Sequence, residues 1–360
     1  LNRGAFGGVQ LLPPAAIERL ERATSTYGAR AGLTTGYGLG NYTTVLDGLV
    51  YHGHDGSRPG CLTEMDYLPD AGIGFVFMIN TKNAATFFEV RRLLCAYVER
   101  SIVAPSKPPA TIVPAATARE FDGWYEPISS RFEFFHCWER LLSLSKVTRR
   151  ETGLEWKPLL QHRDTYVAVT DHLFRRKADP IPTLALIADH AEGTLLQLSE
   201  LPGIGATAGQ TFRRIPGWLV AVEILLSIVT PLLMLSSQLF AMVWVPRKLA
   251  GRMRGIGHLS VRALPLLATL PVACLVAWAW TRGDVVNDLV AWLAPSSPKF
   301  FWLFTTVGGL AATGVVQALR LRHTGINRGV WWHSFATSTA IAIVSLYFGY
   351  WGVIGLRTWV

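Results

Sequence analysis

Cysteine is scarce. Cys61, Cys95, Cys137 and Cys274 are the only four in 360 residues, and no two are spaced as C-x-x-C. That spacing excludes a sequence-defined disulfide framework or thiolate metal site, and no motif calls for a cofactor. Carboxylates are missing from one end. Residues 1 to 100 carry nine basic and nine acidic side chains, residues 101 to 214 fourteen and thirteen, but residues 215 to 360 eleven and only three. The formal charge of +9 is therefore concentrated among apolar segments. Cytoplasmic loops of membrane proteins hold their arginines in that way, so the positive balance loses its meaning as a nucleic-acid signal.

What this end has is long hydrophobic runs, at roughly 217 to 245, 259 to 281, 300 to 319 and 330 to 356. Each reaches the ~20 residues that span about 30 Å of hydrocarbon. Four transmembrane helices are expected, with the bilayer as partner. Trp218 and Trp244 flank the first run, and Trp331, Trp332 and Trp359 the fourth, as interfacial aromatics do. Pro231, Pro265 and Pro271 lie inside runs and predict kinks. The first loop holds Arg247, Lys248, Arg252, Arg254 and Arg262, the third Arg320, Arg322 and Arg328, and the second only Arg282 and Lys299 beside two aspartates. Loops one and three are thus expected in the cytoplasm, with both chain ends and the preceding domain outside it. Glu223, costly in lipid, is expected to snorkel from the outer end of the first span toward water.

Ahead of the membrane region the fold class reads as α+β. Pro13-Pro14 opens a helix over 15 to 23, and Asn83 caps a second one to about Arg100, whose Phe87, Val90, Leu94, Tyr97 and Val98 recur at helical spacing. Strands are expected over 36 to 40, 46 to 51 and, as an apolar run suited to a buried sheet, 73 to 80. A proline-rich linker covers 105 to 118. Beyond it, alternating segments at 131 to 135, 141 to 147, 165 to 170, 173 to 176, 183 to 188 and 194 to 198 predict a small antiparallel β domain, meander or barrel, over 119 to 214. Arg175-Arg176-Lys177 reads as a solvated face.

The densest polar stretch is Tyr51-His52-Gly53-His54-Asp55-Gly56-Ser57-Arg58-Pro59-Gly60. His54-Asp55-Gly56, between strands and followed by a strand and a terminal helix, resembles the third signature of the serine β-lactamase and penicillin-binding-protein-like superfamily, in its class C and esterase-like branch. That resemblance covers residues 1 to 104 as the C-terminal part of such a domain. It implies that His54 faces the nucleophile and substrate, that Gly56 leaves room for the substrate backbone, and that the Ser57 N–H is one oxyanion donor. Asp55 and Arg58 would line the substrate site. The family's Ser-x-x-Lys nucleophile and Tyr-x-Asn do not occur before His54, so the chain is expected to begin inside the domain and to be inactive as it stands. Ser143-Leu144-Ser145-Lys146 matches the first motif only formally, because it falls in a strand-like run that follows His54.

The resemblance implies a fragment of a membrane-anchored, extracytoplasmic serine hydrolase acting on a peptidoglycan-type amide, a β-lactam or a small ester. The alternatives are a non-catalytic penicillin-binding-like sensor and a membrane scaffold or transport module. His52 and His54, two apart on a strand, share a face; they would suit a metal pair, but no neighbouring ligands complete a set, and no metal is expected.

Overall fold

The computed structural model describes residues 1–58, 60–103, 105–112, 119–129, 140–160, 162–199, 209–253, 258–282 and 298–350. Of Arg58 it describes the backbone only. The chain divides into two compact units, one formed by 1–130 with 142–217, the other by 131–141 with 218–360.

The first unit opens with a two-residue hairpin, β1 (Ala5–Phe6) and β2 (Val9–Gln10), followed by helices α1 (Pro14–Glu21) and α2 (Tyr27–Arg30). An antiparallel meander then runs through β3 (Gly36–Tyr37), β4 (Tyr42–Leu46), β5 (Leu49–Arg58), β6 (Cys61–Leu68) and β7 (Ile73–Ile79). Alternation along β6 sends Glu64, Asp66 and Leu68 to one face and Thr63, Met65 and Tyr67 to the other. Helix α3 (Ala84–Glu99) covers the first of these faces. Its start is fixed by Asn83, whose side-chain oxygen accepts from the Thr86 N–H at 3.1 Å. Its buried stripe is Phe87, Cys95 and Val98, with Arg91 in line between them. Tyr97, expected to point at the sheet, is exposed and lies under the Arg100 guanidinium. The apolar strand 73 to 80 also departs from expectation. It is the edge strand β7, not a buried one, and Val76 and Met78 are 70% and 73% exposed.

Eight further strands close into an antiparallel barrel: β8 (Gly123–Pro127), β9 (Ser145–Arg150), β10 (Gly153–Pro158), β11 (Asp164–Ala168), β12 (Leu173–Arg176), β13 (Leu184–Asp189), β14 (Gly193–Leu198) and β15 (Gln210–Ile215). Each pairs with its neighbour in sequence, and β15 returns to β8 through Phe212↔Pro127 and Ile215↔Trp124. Eight strands give a lumen that side chains can fill. Here Tyr125, Trp156, Tyr166, Phe174, Leu184, Leu196 and Phe212 fill it, with Trp156 edge-on to Phe212 at 4.7 Å. The β13–β14 turn is held by Asp189, whose Oδ1 accepts the N–H groups of Ala191 and Glu192, and it closes on Gly193 at φ +79°.

Three of these strands, β8, β10 and β15, escape the pattern reading. Gly123-Trp-Tyr-Glu-Pro and Gly153-Leu-Glu-Trp-Lys-Pro carry glycine and proline at their ends and few β-branched residues. The run 141 to 147 is not one strand: residues 140 to 142 are helical and β9 begins at Ser145, so the formal Ser143-to-Lys146 motif straddles two conformations. The expected strand at 131 to 135 lies outside the described residues.

The barrel meets α2, the residue before β3 and the linker within the one unit. Gln197 Oε1 accepts from the Gly28 N–H, Thr35 bonds Ser199, and Arg175, expected to be solvated, is buried and donates to the Pro108 carbonyl at 2.7 Å.

The second unit contains α4 (Gly217–Leu249, whose first residue belongs to the first unit), α5 (Ser260–Arg282), α6 (Pro298–Arg320) and α7 (Arg328–Tyr350). Among the described residues three helical stretches are long and apolar enough to cross a membrane: Gly217–Leu249, Ser260–Trp278 and Phe301–Arg320. The fourth expected span, 330 to 356, is the helix α7 as far as Tyr350, its last residues lie outside the described ones, and α7 carries Ser334, Thr337, Ser338 and Thr339 in its middle. Those hydroxyls fall partly on its buried side, where Ser338 packs against Gly314 of α6. Ala268, Val307, Ala311 and Ile341 join α5, α6 and α7, while Gln238 of α4 donates to Thr269 of α5 at 3.3 Å. Glu223 does not snorkel. It is 6% exposed and ion-paired with Arg140 at 3.4 Å, because an arginine from 131–141 reaches it and removes the need for water.

Candidate functional site

The stretch singled out in the sequence lies at an edge that the register creates. β5 has ten residues, but β4 pairs only with its first five, ending at Tyr42↔Gly53. On its other side β6 follows β5 to the end, through Ser57↔Leu62 and Arg58↔Cys61. From His54 to Arg58, therefore, one side of β5 pairs with no described strand. A strand residue points its N–H and C=O to the same side, alternating along the chain. The Asp55 carbonyl accepts from His54 Nδ1 at 2.6 Å instead of joining the β6 ladder, which sets Asp55 and Ser57 toward the open edge and Gly56 toward β6. Ser57 is exposed.

His54 lies over this edge. A carbonyl can only accept, so Nδ1 carries the proton in that bond, and Nε2 of the neutral ring accepts from the Tyr37 hydroxyl at 2.7 Å. The rings of Tyr37 and Tyr42 flank the imidazole at 5.6 and 5.9 Å. A hydroxyl, an imidazole that can take its proton and a carbonyl that orients the imidazole form an acid–base chain of the kind found where protons move. His52 has other partners. Its Nδ1 meets Thr43 Oγ1 at 3.2 Å, its ring lies 5.7 Å from Tyr67, and burial pushes its pKa down. Among the described residues no three His, Cys, Asp or Glu side chains are placed to hold a metal ion. At Gly56 the missing side chain makes room for Thr63 of β6, whose Oγ1 would lie 2.5 Å from an added Cβ.

On the covered face, a charged cluster that motif reading missed lies beneath α3. Arg91 Nη2 pairs with Glu64 at 2.9 Å and with Asp66 at 3.4 Å, and Tyr42 donates to both carboxylates at 3.3 Å. Glu64 and Asp66 are 2% and 0% exposed, so two carboxylates share one guanidinium away from water. Burial pushes both carboxyls up, Glu64 to about 8, against the opposing pull of Arg91. Tyr42 is pushed up as well, by burial and then by the two acids. This cluster holds Tyr42, and through it one wall of the His54 site. The signal for it was present: acids two apart on a strand must share a face. A second polar set ties α1 to the sheet, with Asn41 donating to the Tyr67 hydroxyl at 2.6 Å and Tyr67 to Glu21 at 2.8 Å.

No family model and no curated protein matches this chain. Solved structures that resemble it include a crystal structure of SurE with D-Leu, 18% identical over 59% of this chain, with a TM-score of 0.30, and a crystal structure of SurE, 17% identical over 57%, with a TM-score of 0.26. The chain spans about half the length of these structures, 48% and 43%. Likeness at that level defines neither fold nor function. The expected resemblance to the serine β-lactamase and penicillin-binding-protein-like superfamily is corrected: no family model and no curated protein of that group matches the chain, and the two solved structures named above are SurE. The hydrolase fragment and the penicillin-binding-like sensor fall with it. The physical reason is the shortness of the match: His-x-Gly at the end of a strand is three residues, and such motifs recur by chance.

Proposed function

We propose that this chain is a membrane-anchored binding module that takes an extended, peptide-like ligand along the open edge of β5. The observation that carries this reading is the register: Asp55 and Ser57 turn their backbone groups to an edge that no described strand occupies. Such an edge pairs with an added strand, whose main chain supplies affinity while neighbouring side chains supply choice. The Ser57 N–H is the donor for a ligand carbonyl. His54 and Tyr37 stand beside it as hydrogen-bonding side chains, with Asp55 as a further contact. His54 has first to release the Asp55 carbonyl, so it acts as a guard on the edge as well as a contact.

The membrane helices support the anchoring. In the orientation that the loop arginines favour, the loop holding Arg247 to Arg262 and the loop holding Arg320 to Arg328 are cytoplasmic and the ligand-binding unit is extracytoplasmic, as in a multi-pass protein of a bacterial cell membrane.

The test is a thermal-shift screen of the full chain in detergent against a library of short peptides, run on wild type, Ser57→Pro and His54→Ala. Proline at 57 removes one N–H from the open edge and leaves the β6 ladder intact. Peptides that raise the wild-type melting temperature but not that of Ser57→Pro support the reading. Stabilisation of equal size in both variants would sink it.

A further inference from the structure

A cavity of about 480 Å³ opens on the barrel at the point where the chain leaves it for the first apolar helix. The barrel register explains it. Tyr125, Phe212 and Leu196 point into the lumen, so Trp124, Ile215 and Gly193 alternate outward. Gly193 has no side chain, and its positive φ follows from its place where the β13–β14 turn enters β14, which leaves a hollow beside Trp124 and Ile215. Arg214 and Glu192 lie on its rim, and Gly217, where α4 begins, closes it.

The charges around the hollow are unequal. Arg213 is shared by Glu192 at 3.3 Å and Glu126 at 3.1 Å, a set that sums to one negative charge. Arg214 donates to the Glu120 carbonyl at 3.0 Å and forms no ion pair among the described residues, and Lys146 stands 6.0 Å from the centre of the Trp124 ring. Arg214 pairs with Tyr125 across the barrel and so alternates to the side of β15 opposite Ile215, but it reaches the rim of a cavity that Trp124 also lines; a guanidinium with donors free at a cavity within the size range of small-molecule sites has the chemistry of a phosphate receptor with an apolar wall.

We infer that this hollow receives the phosphate-bearing headgroup of an anionic membrane lipid. Connectivity selects the source. Gly217 is both part of the cavity lining and the first residue of a helix of membrane-spanning length and apolarity, and the exposed Trp218 that follows is an interfacial residue type. The inference rests on the membrane-anchored reading, and is independent of the peptide site on β5.

The experiment is native mass spectrometry of the full chain released from detergent after addition of phosphatidylglycerol or phosphatidylcholine in equal amounts. Wild type should retain phosphatidylglycerol preferentially. Arg214→Gln should lower that retention about five-fold, the scale of one cation near a membrane surface, and Arg214→Lys should restore most of it. Gly217→Leu fills the hollow from a position where an added Cβ meets Trp124 only at 3.5 Å, so the fold should tolerate it while the lipid is lost. Near-UV circular dichroism reports whether each variant keeps its packed aromatics. Equal retention of both lipids, or phosphatidylglycerol retention unchanged in Arg214→Gln and Gly217→Leu, would overturn the inference. Displacement of the lipid by millimolar inorganic phosphate would also overturn it, by making a free anion the ligand. Carbonate extraction of membranes, run in parallel, tells failure of this site from failure of the anchoring itself.

Discussion

Arg91 joins α3 to the five-stranded sheet through buried charge. Its guanidinium is the counter-ion for Glu64 and Asp66, and removing one partner of a buried charged set leaves the others uncompensated. Arg91→Ala should therefore cost about 3–5 kcal/mol, read from urea unfolding of the full chain in detergent. The same cluster has a pH signature. Burial raises the folded pKa of Glu64 from 4.5 to about 8. A raised value means that the group's contribution to stability is complete below about pH 4.5 and is lost as pH rises through about 8. The melting temperature of the first unit should fall from pH 5 to pH 8.5, and Glu64→Gln, which keeps the neutral form at every pH, should flatten the fall. An equally steep fall in the variant would mean that Glu64 is ionised throughout.

Among elements, α3 and β7 make opposite cases. The start of α3 is locally encoded. Asn83→Ala removes its cap and should destabilise by about 1 kcal/mol. The place of β7 is not locally encoded. Ile73-Gly-Phe-Val-Phe-Met-Ile reads as a strand covered on both faces, yet it stands at the sheet edge with Val76 and Met78 in the open. A flat apolar edge without charge is the pattern that pairs between molecules. Met78→Lys should accordingly reduce aggregation on refolding, measured by light scattering, with little change in melting temperature. If scattering is unchanged, this edge is not the adhesive surface. For the barrel strands the sequence was partly legible. β12 was read at its observed limits and β11, β13 and β14 within a few residues, because apolar alternation is strong there. β8 and β10 escape that reading because glycine and proline at their ends break the period, and β15 because Arg213 and Arg214 stand side by side within it, while the pairing partners across the barrel hold all three in place.

For the molecule as a whole, the hydrophobic length of α4, α5 and α6 is the strongest single property. The full chain should remain in the membrane fraction after alkaline carbonate. Reporter fusions placed after Gly251 and after Gly325 should give cytoplasmic signals, and one near Pro295 an extracytoplasmic signal. A cytoplasmic signal near Pro295 would refute the orientation. Large aromatics fill the barrel in the other unit, and Trp156, 1% exposed, is the largest fully buried side chain among the described residues. Trp156→Ala should cost about 3–5 kcal/mol and collapse the near-UV signal of the barrel.

The sequence by itself determined the helices long and apolar enough to cross a membrane, the cap and length of α3, the antiparallel character of the strands described between 119 and 214, and the gathering of polar residues at 52 to 58. Each is a matter of composition or of a period within one segment, and short-range physics suffices for it. Tertiary structure alone decided which of these segments meet. That β5 outruns β4 and leaves Asp55 and Ser57 facing an open edge, that Tyr37 reaches His54 from another strand, that Glu223 finds Arg140, and that β15 closes on β8 all depend on register and on pairings between residues far apart in the chain. In the strands, a change of one residue in register would turn the side chains to the opposite face while leaving each segment's own pattern unchanged.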